Sequence, residues 1–284
     1  MKKIPSIKTI EKCENSSWDF GNSILYNLCQ ENFYHQDDQK ILSKVWLIGR
    51  AYSAAIERRK NKDTINDNFY IEKVVPKFKD RELDKYLYKL KQYTNLTMDN
   101  LPLVLEAHNY LTQLTASITD LEKRSFSSKY LHFHLPKLFF IYDSRVVDSL
   151  RQFISYVPKD LKFLMKSDQI DEEYSKFVCK CFAITKGIKD QHDIDISTRV
   201  FDNIMINIAN YKLINNSTMK NTNEVTIGTQ VWMAENLNVS TFRNGDPIPE
   251  AKTDEEWEKA GEEGKPAWCY YDNDASNGTK YGKL

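Results

Sequence analysis

The sequence is poor in the residues that interrupt regular structure. Its 284 residues include only 9 glycines and 8 prolines, while leucine, isoleucine, lysine and asparagine are abundant. Because glycine and proline break helices, this composition favours long helices. No apolar stretch approaches the roughly 20 residues of a membrane-spanning helix, and the basic start of the chain lacks the apolar core of a signal peptide. We therefore expect a cytoplasmic protein without membrane contact.

Cysteine is also scarce. The chain has 5 cysteines, and their scattered positions do not indicate a disulfide framework. Cys179 and Cys181 form a C-x-C pair whose thiols diverge on a helix, so we interpret them as core residues. His132 and His134 are two residues apart and would point to different faces of a helix. The sequence therefore predicts no metal site and no cofactor.

Neither sign of charge is in excess, since 40 basic residues balance 40 acidic ones. The balance hides an asymmetry, because residues 224–284 carry a net charge of −6 and residues 1–223 a net charge of +6. A mild basic excess permits contact with nucleic acid, although that contact also requires lysines and arginines to be clustered.

Helical periodicity dominates residues 1–214. Apolar residues recur at intervals of three and four, which predicts an all-helical domain of roughly nine or ten helices. The predicted helices are 18–33, 37–59, 69–78, 82–93, 98–123, 125–134, 146–156, 161–165, 172–185 and 198–213. The polar, unpatterned residues 215–223 are typical of a linker. The fold class is thus mainly α, with a small tail after the linker.

One arginine lies inside a strongly apolar helix. The segment Val45–Ile56 is apolar or small nearly all round, which is typical of a buried helix. We expect Arg50 to be largely buried and to pair with Glu57 on the same face or with Asp143, because a buried arginine needs an acidic partner. The pair would either fix helix packing or let Arg50 bind a phosphate or carboxylate.

The segment Ser125–Val146 carries the densest set of candidate site residues. The run is mostly apolar and aromatic, and it contains the charged or polar side chains Lys129, His132, His134, Asp143 and Arg145. Charges in such surroundings must be paired, capped or used, because leaving them bare costs several kcal/mol. We expect a short helix that Pro136 ends, and a second helix that Asp143 caps. The connector would fold one helix back on the other and bring the charged groups to one cleft.

This segment resembles the core of the helix-hairpin-helix DNA glycosylase superfamily. The similarity rests on Ser128-Lys129, the apolar connector, and Asp143-Ser144-Arg145-Val146 opening the next helix. In that family the lysine can act as an amine nucleophile, and the aspartate caps a helix and supports the chemistry. The resemblance implies catalytic roles for Lys129 and Asp143. Taken singly, Asp143 could instead be only a helix cap and Lys129 a solvated helix residue.

A different pattern begins at residue 224. Val225–Trp232 alternates like a hairpin. The motifs IGTQVWMAENLN, FRNGDPIP, AWCYYDN and YGKL resemble the Fibrobacter succinogenes major paralogous domain, which is common in Bacteroidetes-type proteins. The resemblance implies a C-type-lectin-like α+β tail that is incomplete, because in the family YGKL leads into a further aromatic-rich half. We therefore expect open sheet edges and exposed aromatics such as Trp268 and Tyr270.

Two functions follow from these patterns. The first is nucleic-acid binding or DNA processing by the helical domain, and the resemblance implies a glycosylase-like reaction. Its catalytic residues would be Lys129 and Asp143, and its nucleic-acid contacts Arg50, Glu57, His132 and Arg145. The alternative is a non-catalytic binding protein whose lectin-like tail recognises a protein or a carbohydrate. The patterns leave open whether the protein is an enzyme.

Overall fold

The computed structural model describes residues 4–13, 19–57, 68–218, 224–227, 230–233, 238–242 and 244–283. The chain divides into two compact units, Met1–Lys212 and Leu213–Leu284. The protein is mainly helical. Up to Thr218 the described α-helices are α1 (Ile7–Glu11), α2 (Asp19–Glu31), α3 (Asp38–Ala51), α4 (Val75–Phe78), α5 (Arg81–Lys91), α6 (Leu101–Thr119), α7 (Arg124–His134), α8 (Ser144–Leu150), α9 (Glu172–His192) and α10 (Thr198–Thr218).

Two helical segments of other types complete this part of the chain. A π-helical turn, Tyr70–Val74, leads into α4, and a 3-10 helix, Lys159–Lys166, precedes α9. Helix α3 begins after the side-chain cap Asp37, which accepts a hydrogen bond from the Lys40 amide at 2.9 Å. At the far end α10 continues to Thr218, so residues 215–218 of the predicted linker are helical. Residues 219–223 lie outside the described residues.

The helix α3 is shorter than its sequence pattern predicts. It ends at Ala51, and Ser53 adopts a left-handed backbone with φ of 52°. The chain then folds back over Gly49, where an added Cβ would lie 3.2 Å from the Cα of Ala55. The small residues Gly49, Ala54 and Ala55 therefore permit a tight reversal of the chain itself.

Two groups of buried apolar residues form the core of the helical unit. One gathers α2, α3, α4, α5 and α7, and the other gathers α8, α9 and α10. Helix α6 belongs to both, with Val104 in the first group and Leu105 in the second. The connector after α7 does the same, since Phe139 packs in the first group and Phe140 in the second. The segment around Lys129 thus joins both halves of the core.

A chain of polar side chains crosses the first half of the core. His35 Nδ1 donates to Asp84 at 2.6 Å, and His35 Nε2 lies 2.6 Å from the Tyr130 hydroxyl, which donates to it. His134 Nδ1 donates to the backbone carbonyl of Tyr130 at 2.8 Å, which leaves His134 Nε2 to accept from Lys44 Nζ at 3.2 Å. These buried groups satisfy one another, as buried polar groups must. We call this set the buried polar chain.

The second unit contains short elements. Strands β1 (Glu224–Ile227) and β2 (Gln230–Met233) form an antiparallel hairpin in which Glu224 faces Met233. Helix α11 (Asp254–Glu262) follows, then two 3-10 turns, Tyr271–Asn273 and Ala275–Asn277, and α12 (Gly278–Tyr281). In the described part of this unit no larger sheet is present.

The packing of the tail aromatics differs from the expectation. Trp268 and Tyr270 are half-buried rather than exposed, because their rings meet edge to face with centroids 5.3 Å apart. The Trp268 indole N–H also donates to the Ile248 carbonyl at 2.9 Å. Among the described residues of this unit, the exposed aromatic side chains are instead Trp232, Phe242, Trp257 and Tyr271.

Candidate functional site

A cleft of about 810 Å³ opens in the helical unit. Its walls come from α2, the end of α3, α7, the start of α8 and α10. The polar residues that line it are Asn22, Tyr52, Ser53, Lys129, Asp143, Arg145, Arg199, Asp202, Asn203, Asn207 and Asn210, with Lys12. The cleft therefore brings together three of the predicted site residues, Lys129, Asp143 and Arg145.

Lys129 is the most enclosed charge in the cleft, with a side chain that is 3% exposed. Its Nζ donates to Ser125 Oγ at 2.7 Å and to the Tyr52 carbonyl at 3.3 Å, and it lies 3.6 Å from Asp143 Oδ2. Burial lowers the pKa of Lys129, and the nearby carboxylates of Asp143 and Asp202 oppose that effect. The neutral amine is therefore easier to form here than in water.

Asp143 has two roles, one for each oxygen. Its Oδ1 accepts from the Arg145 amide at 3.0 Å and from Arg145 Nε at 3.3 Å, which confirms the predicted cap of α8. Its Oδ2 faces Lys129. The side chain of Arg145 is 55% exposed, so its guanidinium lies at the rim of the cleft.

Helix α10 supplies a second carboxylate that sequence reasoning missed. Asp202 is buried, and its Oδ2 accepts from Arg199 Nη1 at 2.8 Å. Burial raises the pKa of Asp202 to about 6, while Arg199 acts to lower it and Asp143 adds to the rise. The sequence offered one signal for this carboxylate, namely the opposite charges of Arg199 and Asp202, three residues apart within an apolar helix.

Tyr52 contacts α2 in the lining of the cleft. Its hydroxyl donates to Asn22 Oδ1 at 2.6 Å, and Arg199 of α10 lines the same cleft. Burial raises the pKa of Tyr52, so the hydroxyl keeps its proton at neutral pH. Because Tyr52 directly follows α3, the reversal of the chain at Ser53 fixes this wall.

Arg50 and Glu57 lie elsewhere. The two residues form the expected ion pair, but the prediction that Arg50 is largely buried is wrong, because its side chain is 58% exposed. The Tyr70 hydroxyl donates to the same glutamate. Neither Arg50 nor Glu57 is among the residues that line the cleft.

His132 is wholly inside the core. Its Nδ1 donates to the Phe139 carbonyl at 2.8 Å, so its Nε2 accepts from the Tyr26 hydroxyl at 2.7 Å. Burial lowers the pKa of His132 to about 4, and the ring is neutral at physiological pH. A side chain with no exposed surface has no face to offer a nucleic acid, so packing replaces the predicted contact role.

The cleft unites a buried amine, two carboxylates and two guanidinium groups. Such a collection of perturbed and paired ionisable groups is typical of binding and catalytic sites. Within the described ranges, no three histidine, cysteine, aspartate or glutamate side chains are grouped as metal ligands would be. The chemistry available from these side chains is nucleophilic attack by the amine and proton transfer through the carboxylates.

The first unit is therefore a helical domain that contains a polar cleft. Residues 225–284, in the second unit, match the family model of the Fibrobacter succinogenes major domain, which confirms the resemblance of the tail motifs. No curated protein and no solved structure matches the chain. Across the part of the chain that the structure describes, no helix combines the length and apolar character needed to span a membrane.

Proposed function

We propose that the helical unit binds nucleic acid and processes DNA at the cleft, with Lys129 as the amine nucleophile and Asp143 as the carboxylate that orients it. The observation that carries this proposal is the buried Nζ of Lys129, 3.6 Å from Asp143 Oδ2, within a cleft of about 810 Å³. Enclosed sites of roughly 300–1,000 Å³ hold small ligands, and DNA-modifying enzymes take a single nucleotide into such a pocket.

The environment of Lys129 suits a nucleophile. Only the neutral amine has a free electron pair, and burial favours that form by lowering the pKa of Lys129. The Asp143 carboxylate can take up a proton from the amine as it attacks. Arg145 at the rim adds an exposed guanidinium that can contact a phosphate of the same strand.

The proposed covalent step is imine formation on a deoxyribose that has lost its base. Lys129 Nζ attacks the C1′ aldehyde of the open-chain sugar and forms a carbinolamine. Loss of water then gives the imine. Asp143 accepts the proton that the amine loses and passes it to the hydroxyl group that leaves as water. Borohydride delivers hydride to the imine carbon and converts the link to a stable secondary amine.

Borohydride trapping tests this step. The protein is incubated with a labelled duplex that contains one abasic site, reduced, and separated on a denaturing gel. We expect a slower-migrating adduct that Lys129→Ala abolishes. The matched control is Lys137→Ala, which removes an exposed lysine from the same segment and should keep the adduct.

The outcomes separate binding from chemistry. An adduct that survives Lys129→Ala would overturn the role of Lys129, and an adduct absent from the unaltered protein would overturn the glycosylase-like reaction. Binding is measured independently by titrating labelled duplex at several salt concentrations. We expect Arg145→Ala to weaken binding and to reduce its salt dependence, because each neutralised phosphate releases counterions.

The alternative function is non-catalytic recognition of a protein or carbohydrate by the tail, with a lectin-like α+β fold. The exposed side chains of Trp232, Trp257 and Tyr271 favour it, because aromatic faces can pack on sugar rings and protein surfaces. The test is binding of the protein to immobilised glycans or proteins. Binding that Trp257→Ala abolishes, while duplex binding and the borohydride adduct stay unchanged, would favour this function over the first.

A further inference from the structure

Three buried polar atoms in the cleft have no hydrogen-bond partner among the described residues. They are Asn22 Nδ2, Arg199 Nε and Asp202 Oδ1. Asn22 is 4% exposed and Asp202 is 7% exposed, and all three residues line the cleft. Native proteins rarely leave buried polar atoms unpaired, because each one has lost its water without gaining a partner. A ligand in the cleft would supply the missing partners.

The three atoms belong to two hydrogen-bonded pairs that are already held in place. The Tyr52 hydroxyl donates to Asn22 Oδ1, so the amide presents its Nδ2. Arg199 Nη1 holds Asp202 Oδ2 at 2.8 Å, so the carboxylate presents its Oδ1. Tyr52 and Arg199 both line the cleft, so the two pairs face the same space. Groups fixed by other hydrogen bonds in this way are suited to selective recognition.

The set offers two donors and one acceptor. Asn22 Nδ2 and Arg199 Nε donate, and Asp202 Oδ1 accepts because burial raises the pKa of Asp202 only to about 6, which leaves it ionised above neutral pH. A partner must therefore present two acceptors and one donor. A phosphate presents acceptors alone, and its charge would be repelled by the Asp202 carboxylate.

We infer that Asn22, Arg199 and Asp202 form a subsite for the pairing edge of a pyrimidine base. Uracil and thymine present two carbonyl oxygens and one ring N–H, and cytosine presents a carbonyl oxygen, a ring nitrogen and an amino group. Guanine presents the reverse set, one acceptor and two donors, and adenine has only one of each. The inference rests on the proposed function, since it assigns the base that the cleft receives.

Oligonucleotide binding tests the subsite. Fluorescence anisotropy is measured at pH 7.5 with labelled 12-mers of thymidine, of deoxycytidine, of deoxyadenosine and of abasic residues. We expect the two pyrimidine strands to bind about tenfold more tightly than the other two, because hydrogen bonds to a base edge discriminate on that order. The abasic strand measures the contribution of the phosphates alone.

Variants of the wall locate the preference. Asn22→Leu and Asp202→Leu keep the side-chain volume and remove one donor and one acceptor, so we expect each to abolish most of the preference while binding to the abasic strand persists. Asn207→Leu is the matched control, since Asn207 lines the same wall, is exposed, and takes no part in either pair. Circular dichroism verifies that every variant is folded.

The results distinguish the subsite from the proposed function. Equal binding of all four strands, or a preference for adenine that the variants leave unchanged, would overturn the subsite and leave nucleic-acid binding intact. If no strand binds, the proposed function fails, and free thymidine, cytidine and adenosine are then titrated by NMR. Binding of the two pyrimidine nucleosides that Asp202→Leu abolishes would sustain the subsite, and absence of binding would overturn it as well.

Discussion

Replacing Asp202 by asparagine should stabilise the protein. The carboxylate is buried, and burial raises the pKa of Asp202 to about 6 although Arg199 opposes the rise. An ionised side chain at this position is therefore a stability cost that the native state carries. The amide has nearly the same shape and no charge, so it removes that cost while it keeps a group that can contact Arg199.

The size of the effect follows from the difference in proton binding between the two states. The pKa of Asp202 is about 6 in the folded protein against an ordinary value of 3.8. One pKa unit corresponds to about 1.4 kcal/mol, so the ionised carboxylate destabilises the fold by about 3 kcal/mol above neutral pH. Below pH 4 the carboxyl is protonated in both states, and the cost disappears. Between these limits the folded form binds more protons, so this contribution weakens the fold as pH rises.

The prediction is checked by urea denaturation of Asp202→Asn and the unaltered protein, followed by circular dichroism at 222 nm, at pH 4.5, 6 and 7.5. The free energy of unfolding should favour the variant by up to about 3 kcal/mol at pH 7.5 and by much less at pH 4.5. A variant that is less stable at pH 7.5, or a difference that does not change with pH, would refute the reasoning. A gain in stability accompanied by loss of pyrimidine preference would indicate a residue retained for binding.

Two further predictions concern the Arg50 pair and the boundary of the helical unit. Arg50→Ala should lower the free energy of unfolding by less than about 1 kcal/mol, because exposed ion pairs contribute little, and a loss of several kcal/mol in urea denaturation would contradict the exposed position. A fragment that ends at Thr218 should unfold cooperatively by itself, because Met1–Lys212 forms a compact unit. A fragment that shows no cooperative loss of helix signal on heating would mean that the remaining residues contribute to its core.

Local sequence patterns predicted one wall of the cleft, because the three charged residues of that wall are close in sequence. Lys129, Asp143 and Arg145 lie in one segment, and Pro136 and the Asp143 cap fix how that segment turns. The cap itself is confirmed by the hydrogen bond from the Arg145 amide. Short-range signals of this kind do not depend on the rest of the fold.

The other wall could not be predicted in the same way. Asp202 reaches the cleft only through the packing of α10, far along the chain, and sequence spacing does not reveal such contacts. The apolar pattern of α10 indicates core packing rather than a binding site, because it is dominated by Phe201, Ile204 and Met205, which are buried. The ion pair with Arg199 was the one local sign that a charge was being kept inside.

The error at Arg50 has a physical reason. In α3, Trp46 lies one turn before Arg50 on the same face, and both side chains are exposed. Because this tryptophan is apolar, the sequence of α3 indicates an apolar helix on all sides. In the structure, α3 has a solvent-exposed face that carries both residues. The length of α3 was overestimated for a related reason, since the residues around Ser53 have no proline to mark the reversal of the chain.

The buried polar chain has a consequence for how this sequence can change over time. Asp84, His35, Tyr130, His134 and Lys44 come from separate segments, and each inner member serves two neighbours. Replacing an inner member by an apolar residue removes a hydrogen bond from a buried neighbour, whereas replacing the whole set by well-packed apolar groups can be nearly neutral. Intermediate sequences are therefore the costly ones, and we expect the five positions to change together.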